Sequence, residues 1–284
     1  MVLRLSFGRR VRWLSNDHNA PHYLRAPDDS LRDLIFPLET FKSSILKMFS
    51  TVSPASQFVD VGVNIGQTML EVARLLPKIE YFGFEPNIEA LCCAKEIANT
   101  CKINAHFYPW ACSSESAPRE LYAESFYDSS ATLNPSIRPN TYESVRPQAI
   151  AAYPLDQILV DRLEDRFIMK IDVEGGENEV LKGSLKLLMQ KRPLMLCEVL
   201  NAHRESEIAL NNYRKLELEQ MLNDIRYKIY RVEISDQDRE EFRGLKRITS
   251  FQKSLLWKHS QHQCDYIFIP REISFDHVLD HNHL

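Results

Sequence analysis

No stretch of this sequence approaches the roughly 20 consecutive apolar residues that a helix needs to cross a bilayer, so no transmembrane segment is expected. The first residues are basic, with Arg4, Arg9, Arg10 and Arg12. They lack the apolar core of a secretory signal, so a basic N-terminal arm is expected, with a transit peptide or a membrane-surface segment as alternatives, and cysteines read as reduced make a cytoplasmic protein the expectation. The six cysteines, Cys92, Cys93, Cys101, Cys112, Cys197 and Cys264, contain no C-x-x-C pair and join no histidine cluster at zinc spacing. No metal centre is therefore expected, and the thiols read as small reduced hydrophobes. Positive charge is not in excess: 35 Lys and Arg face 39 Asp and Glu, a formal net charge of -4. A dedicated nucleic-acid binder would carry a basic footprint, so no nucleic-acid partner is expected. No repeat recurs at solenoid periods.

What remains is ample core material, with 44% apolar residues in 284. That suits one large α/β domain with an appendage. Residues 1–50 read as an N-terminal extension with a helix over Thr40–Phe49. Residues 51–272 read as the main domain, interrupted by a polar insert at 113–155, and 273–284 as a tail. Short apolar runs predict strands at Gln57–Val61, Tyr81–Phe84, His106–Tyr108, Phe167–Ile171, Leu194–Val199, Lys228–Val232 and Tyr266–Ile269. Helical spacing predicts helices at Gln67–Leu76, Asn87–Asn99, Glu177–Gln190 and Leu216–Asp224 between them. Such alternation indicates a mostly parallel sheet covered by helices on both faces. Sheets of this kind bind ligands beyond the carboxyl ends of their strands, at the point where strand order reverses.

Three motifs lie at those ends. The first, Asp60-Val61-Gly62-Val63-Asn64-Ile65-Gly66, leaves a buried strand and enters a helix. Its glycines allow a sharp turn and a close ligand, and the helix start offers unpaired N–H groups. The second ends the next strand in Glu85-Pro86-Asn87, with Glu85 nineteen residues past Gly66. An acid there can accept from both hydroxyls of a ribose. The loop is G-x-N-x-G rather than G-x-G-x-x-G, so Asn64 stands where a pyrophosphate needs the absent side chain of glycine. An adenosyl ligand without a pyrophosphate, such as S-adenosylmethionine, is favoured over a dinucleotide. The third is Lys170-Ile171-Asp172-Val173-Glu174-Gly175-Gly176-Glu177, three carboxylates in six residues at a strand end. Asp172 is expected beside the cofactor or the acceptor, and Lys170 as an internal ion-pair partner.

The sequences DVGVNIG, FGFEPN, KIDVEGGENEVLKG and RPLMLCEV, in that order, resemble the FkbM-type methyltransferases from about Gln57 to Pro270. The resemblance implies a Rossmann-like class I methyltransferase fold, with a seven-stranded sheet whose last strand is antiparallel. It implies S-adenosylmethionine as cofactor and methylation of a hydroxyl on a sugar, glycan or secondary metabolite. By motif, Asp60, Gly62, Asn64, Ile65 and Gly66 would line the methionine side, Glu85 would hold the ribose, and Pro86 and Asn87 would flank it. Trp110, Ala111 and Cys112 would border the adenine, and Asp172 and Glu174 would face the reaction centre. Asp128-Ser129-Ser130-Ala131 resembles the serine-containing insert of such proteins.

An alcohol is a weak nucleophile, so a general base is expected within hydrogen-bond reach. The candidates are Asp172, Glu174, Glu198 and His203. Tyr122, Phe126, Tyr127 and Tyr142 of the insert could stack on an acceptor ring. A nicotinamide-dependent oxidoreductase and an inactive cofactor-binding subunit stay open as alternatives.

Overall fold

In the computed structural model, residues 42–52, 54–124, 128, 130–136, 142, 145–235, 242–256 and 264–274 are described in full, and 2–4, 10–14, 23–25, 40, 41 and 137 by backbone alone. Three short antiparallel strands, Val2–Arg4 (β1), Arg10–Leu14 (β2) and Tyr23–Arg25 (β3), precede helix Thr40–Val52 (α1). The chain then alternates through Gln57–Val61 (β4), Gln67–Leu75 (α2), Glu80–Phe84 (β5), Ile88–Cys101 (α3) and Ala105–Tyr108 (β6). Strands Ala111–Cys112 (β7), Ala117–Leu121 (β8) and Gln148–Tyr153 (β9) follow, then helix Leu155–Leu159 (α4) and strand Ile168–Ile171 (β10). Helices Glu177–Lys182 (α5) and Leu185–Lys191 (α6) lead to Leu194–Glu198 (β11), and Ile208–Asp224 (α7) leads to Tyr227–Ile234 (β12), Phe242–Ile248 (β13) and Asp265–Pro270 (β14).

Eight strands form the main sheet, in the order β13-β12-β14-β11-β10-β4-β5-β6. β4, β5, β6, β10 and β11 pair parallel, while β14 is antiparallel to both its neighbours. The order reverses between β4 and β10, where successive strands run outward in opposite directions. Val61 is registered with both Phe84 and Ile171, and Ile171 with Cys197, so the loops after β4, β5, β10 and β11 leave from one edge.

β4 shows why the sheet is stable. All five residues are buried, and with a period of two they serve opposite faces. Phe58 joins the core under α1, α2 and α3, while Val59 and Val61 join the core under α4, α5, α6 and α7. Truncating such a side chain typically costs about 2–5 kcal/mol. Ile45, Leu46, Met48 and Phe49 put α1 into the first of these cores.

Four differences from the sequence pattern have physical causes. The sheet gains an eighth strand, β13, because β12 runs on to Ile234 and is paired by Phe242–Ile248 as an edge hairpin. The helix expected over Glu177–Gln190 is two helices. The chain breaks at Gly183, where a Cβ would stand 2.0 Å from the Ser113 carbonyl oxygen, so backbone contact with the insert replaces helix continuity. The helix expected from Leu216 begins at Ile208, its early turns carrying exposed Leu210 and Tyr213, so apolar periodicity does not reveal them. The polar insert carries β8 and β9, which with β7 just before it form a small separate sheet, β7-β9-β8, and β8 alternates in exposure.

Candidate active site

The loops after β4, β5, β10 and β11 and part of the insert enclose a cavity of about 410 Å³, within the range of small-molecule sites. Gly62, Asn64, Glu85, Pro86, Trp110, Ala111, Asp172, Glu174 and Glu198 all border it. So do Cys112 and Lys170.

Asp60, Ile65, Gly66, Asn87 and His203 do not. Asp60 is wholly buried below the cavity, where it accepts from the Tyr81 hydroxyl and from Lys170 Nζ at 3.2 Å. Asn87 is the N-cap of α3, its side-chain oxygen taken by the N–H groups of Glu89 and Ala90. The His203 backbone N–H donates to Glu207, and its ring is not part of the cavity wall.

On the β5 side, Glu85 is 7% exposed. Its Oε2 accepts the Asn64 N–H and its Oε1 the Asn87 N–H, both at 2.8 Å. Each carboxylate oxygen has a further lone pair, and the residue borders the cavity. Burial pushes its carboxyl up to about 7, against the pull of these two N–H groups. Phe84, Trp110, Cys112 and Leu121 give the neighbouring wall an apolar surface. Phe84 stacks on Tyr108 at 4.6 Å, and Tyr108 meets Trp110 at 5.5 Å.

The loop after β4 is held by packing more than by any need for a close ligand. Gly62 has a φ of 93°, and a Cβ there would lie 1.8 Å from the Asp172 carbonyl oxygen. Asn64 borders the cavity, and its side chain is bonded within the protein. Its Oδ1 accepts the Ile65 N–H at 2.7 Å and its Nδ2 donates to the Asp128 carbonyl at 3.1 Å. Thr132 makes a matching bond on the other side, its hydroxyl donating to the Glu174 carbonyl at 2.7 Å. Two hydrogen bonds thus strap the insert across both ligand loops.

On the β10 side, the three carboxylates of the sequence motif separate. Glu177 turns inward and accepts the Gly175 N–H at 2.7 Å. Asp172 and Glu174 face the cavity and are joined by Glu198 from β11, with one oxygen of each within 4.8 Å of the others. Lys170, 4% exposed, puts Nζ 3.2 Å from both Asp60 and Asp172 and from the Gly62 carbonyl. Lys42 Nζ of α1 lies 3.8 Å from Asp172. Burial raises the Asp172 carboxyl, but Lys170 and Lys42 more than offset it and hold it well below the usual carboxylate range. Glu198, hydrogen-bonded to Asp172, is driven strongly upward by burial and then by the charges of Asp172, Asp265 and Glu174. The pair is therefore unequal: the two lysines favour the charged form of Asp172, and burial with the neighbouring acids disfavours that of Glu198. Three carboxylates at this spacing could hold a cation, but Lys42 and Lys170 already supply positive charge to the group.

Lys42 was not legible in the sequence, because no motif surrounds it. Of the candidate stacking residues, Phe126 and Tyr127 lie outside the described residues. Tyr142 is buried and its hydroxyl donates to the Ser130 carbonyl at 2.6 Å, while Tyr122 bonds Glu120, so neither borders the cavity. All six cysteines are free thiols. Among the described residues, no helix is long and apolar enough to cross a membrane.

Comparison with known proteins agrees on the family. The family model of the methyltransferase FkbM domain matches residues 60–268, well over half of the chain. Methyltransferase FkbM from Methylobacillus flagellatus KT is 15% identical with a TM-score of 0.45, the match covering 76% of this chain and 43% of that one. The chain thus spans less than half the length of that relative. A SAM-dependent O-methyltransferase from Thermotoga maritima is 10% identical with a TM-score of 0.36, over 94% of this chain and 76% of that one. The plantazolicin methyltransferase solved in complex with SAH is 13% identical with a TM-score of 0.36, over 82% and 83%. No curated protein matches the sequence.

Proposed function

The chain belongs to the FkbM methyltransferase family, with its Rossmann-like class I fold, and from that premise we propose that it methylates a hydroxyl group of a sugar, glycan or other small molecule, using S-adenosylmethionine. One observation carries the reading. A buried carboxylate with unspent lone pairs (Glu85) and a carboxylate paired with two lysines (Asp172) border the same cavity on opposite sides of the strand-order reversal.

The residues present fit this cofactor. Glu85 would accept from the two ribose hydroxyls, and Phe84, Trp110, Ala111 and Cys112 would flank the base. Gly62 and Asn64 would border the methionine portion through the loop's shape, and Pro86 would close the wall beside Glu85. Bound S-adenosylmethionine would supply an activated methyl group. The protein's own part is then alignment and exclusion of water, to which the strapped insert contributes. Asp172 and Glu198 act as one proton-sharing unit. The acceptor hydroxyl would donate to Asp172, with Glu174 at the acceptor side. His203 is no longer a candidate base, since it lies outside the cavity wall.

The deciding experiment is calorimetric titration with S-adenosylhomocysteine and with NAD. Labelled S-adenosylmethionine is then incubated with cell extract to find the molecule that acquires the methyl group. Binding of S-adenosylhomocysteine with label on an ether oxygen is the expected result. Binding of NAD alone would replace this reading with a nicotinamide-dependent oxidoreductase.

A further inference from the structure

Helix α1 lies outside the segment matched by the family, which begins at residue 60. It nevertheless reaches the cavity. Lys42, in its first turn, borders the cavity and approaches the same Asp172 oxygen that Lys170 contacts. The register of the helix is fixed. Ile45, Leu46, Met48 and Phe49 are buried in the core, and the Ser43 hydroxyl donates to Glu71 of α2, which Arg74 Nε also holds at 2.9 Å. The ammonium is thus delivered by a packed element rather than by a free surface chain.

We infer that Lys42 is a positioning residue of the transfer site, which together with Lys170 keeps the negative charge of the acid group on Asp172 and the proton on Glu198. This rests on the methyltransferase reading above.

The charge balance supports it. Among the described residues, the charged groups facing the Asp172–Glu198 pair are Asp60 of β4, Lys170 of β10, Glu174 and Glu177 after it, Asp265 of β14 and Lys42 of α1, beside the buried thiols of Cys197 and Cys264. Acids outnumber ammonium groups, and Lys170 is divided between Asp60 and Asp172. Without Lys42, one lysine serves two carboxylates. Asp172 then keeps only its share of Lys170, its advantage over Glu198 in remaining ionised shrinks, and protons return to it at higher pH.

The test compares the affinities of S-adenosylmethionine and S-adenosylhomocysteine from about pH 5 to about pH 8, by calorimetry, for the full chain and its Lys42→Met and Lys42→Arg variants. The two ligands differ by a methyl group and the fixed positive charge it places on sulfur. Their affinity ratio therefore reports the negative charge facing that sulfur, and effects common to both ligands, including protonation of Glu85, cancel. The wild-type ratio should stay level. In Lys42→Met it should fall at least about threefold between neutral and acidic pH, and Lys42→Arg should restore the level profile. A Lys42→Met profile parallel to wild type would overturn the inference while leaving the methyltransferase reading intact, because a merely structural helix moves both ligands alike. A Lys42→Arg profile matching Lys42→Met would also overturn it, since charge would then not be what matters. If the wild type binds neither ligand, the methyltransferase reading falls and this inference falls with it.

Discussion

The two sides of the cavity hold their carboxylates by different means. Glu85 is gripped by backbone N–H groups from its own turn and from the loop after the neighbouring strand. Asp172 is gripped by the side chains of two lysines, Lys170 from the strand before it and Lys42 from a helix, 130 residues earlier in the chain. Backbone donors are neutral and persist whatever side chains surround them, so they leave the burial of Glu85 to raise its carboxyl. Ammonium groups carry full charge and reverse the effect of burial at Asp172. The same residue class thus ends in opposite conditions around one cavity: one acid pushed up to about 7, the other held below the usual carboxylate range.

Changes at four positions would break or sharpen this contrast. The largest effect should come from the seam between the two sides. Gly62→Ala would drive a methyl group into the Asp172 carbonyl at a backbone conformation alanine rarely adopts. A loss of about 4 kcal/mol, or about 10 °C in Tm, is expected in thermal denaturation, and an unchanged Tm would mean that the two loops are not in rigid contact.

Asp172→Asn comes next. It removes the charge and leaves two ammonium groups facing a neutral amide. Methyl transfer should fall about a hundredfold, near 3 kcal/mol, while affinity for S-adenosylhomocysteine changes far less. Retained turnover in a folded variant would remove Asp172 from the chemistry.

Glu85→Ala should show the reverse pattern, weakening S-adenosylhomocysteine about thirtyfold, or about 2 kcal/mol. The wild type should also show a pH dependence of its own. With its carboxyl near 7 instead of the ordinary 4.5, Glu85 is protonated below that point, and ribose hydroxyls donate best to the ionised form. Affinity should therefore be greatest above about pH 7 and fall on acidification, by at most about tenfold per unit. Glu85→Gln should flatten that dependence, and an equal slope in the variant would assign it to another group.

The smallest effect belongs to Thr132→Val, which deletes one strap of the insert at Glu174. A stability loss of about 1 kcal/mol is expected in denaturant unfolding. A much larger loss would show that the insert holds the β10 loop in place rather than merely covering it.

Much of the architecture was legible in the chain itself. The strand at Gln57–Val61 coincides with the observed β4, because Phe58, Val59 and Val61 make a short β-favouring run that ends in turn residues. The turn at Gly62 and the acid at Glu85 were visible for the same reason, since each acts within a few residues of a strand end. Where the local signal was ambiguous, the pattern misled. Glu177 belongs to an acidic cluster in sequence but faces its own loop. His203 follows a strand end but stays outside the cavity. Gly183 breaks a continuous helical pattern only because the insert packs against it. Tyr142 is aromatic and lies in the insert, yet its hydroxyl ties that insert together from within.

The sequence alone determined the alternation of strands and helices and the edge at which ligand loops gather, because these follow from periodicities and turns read over a few residues, and its motifs carried the family resemblance. Only the tertiary structure decided which acids share a wall, which of them is ionised and that a helix outside the matched segment supplies a charge. Electrostatic state depends on distances between groups far apart in the chain and on burial, and neither is written in local order.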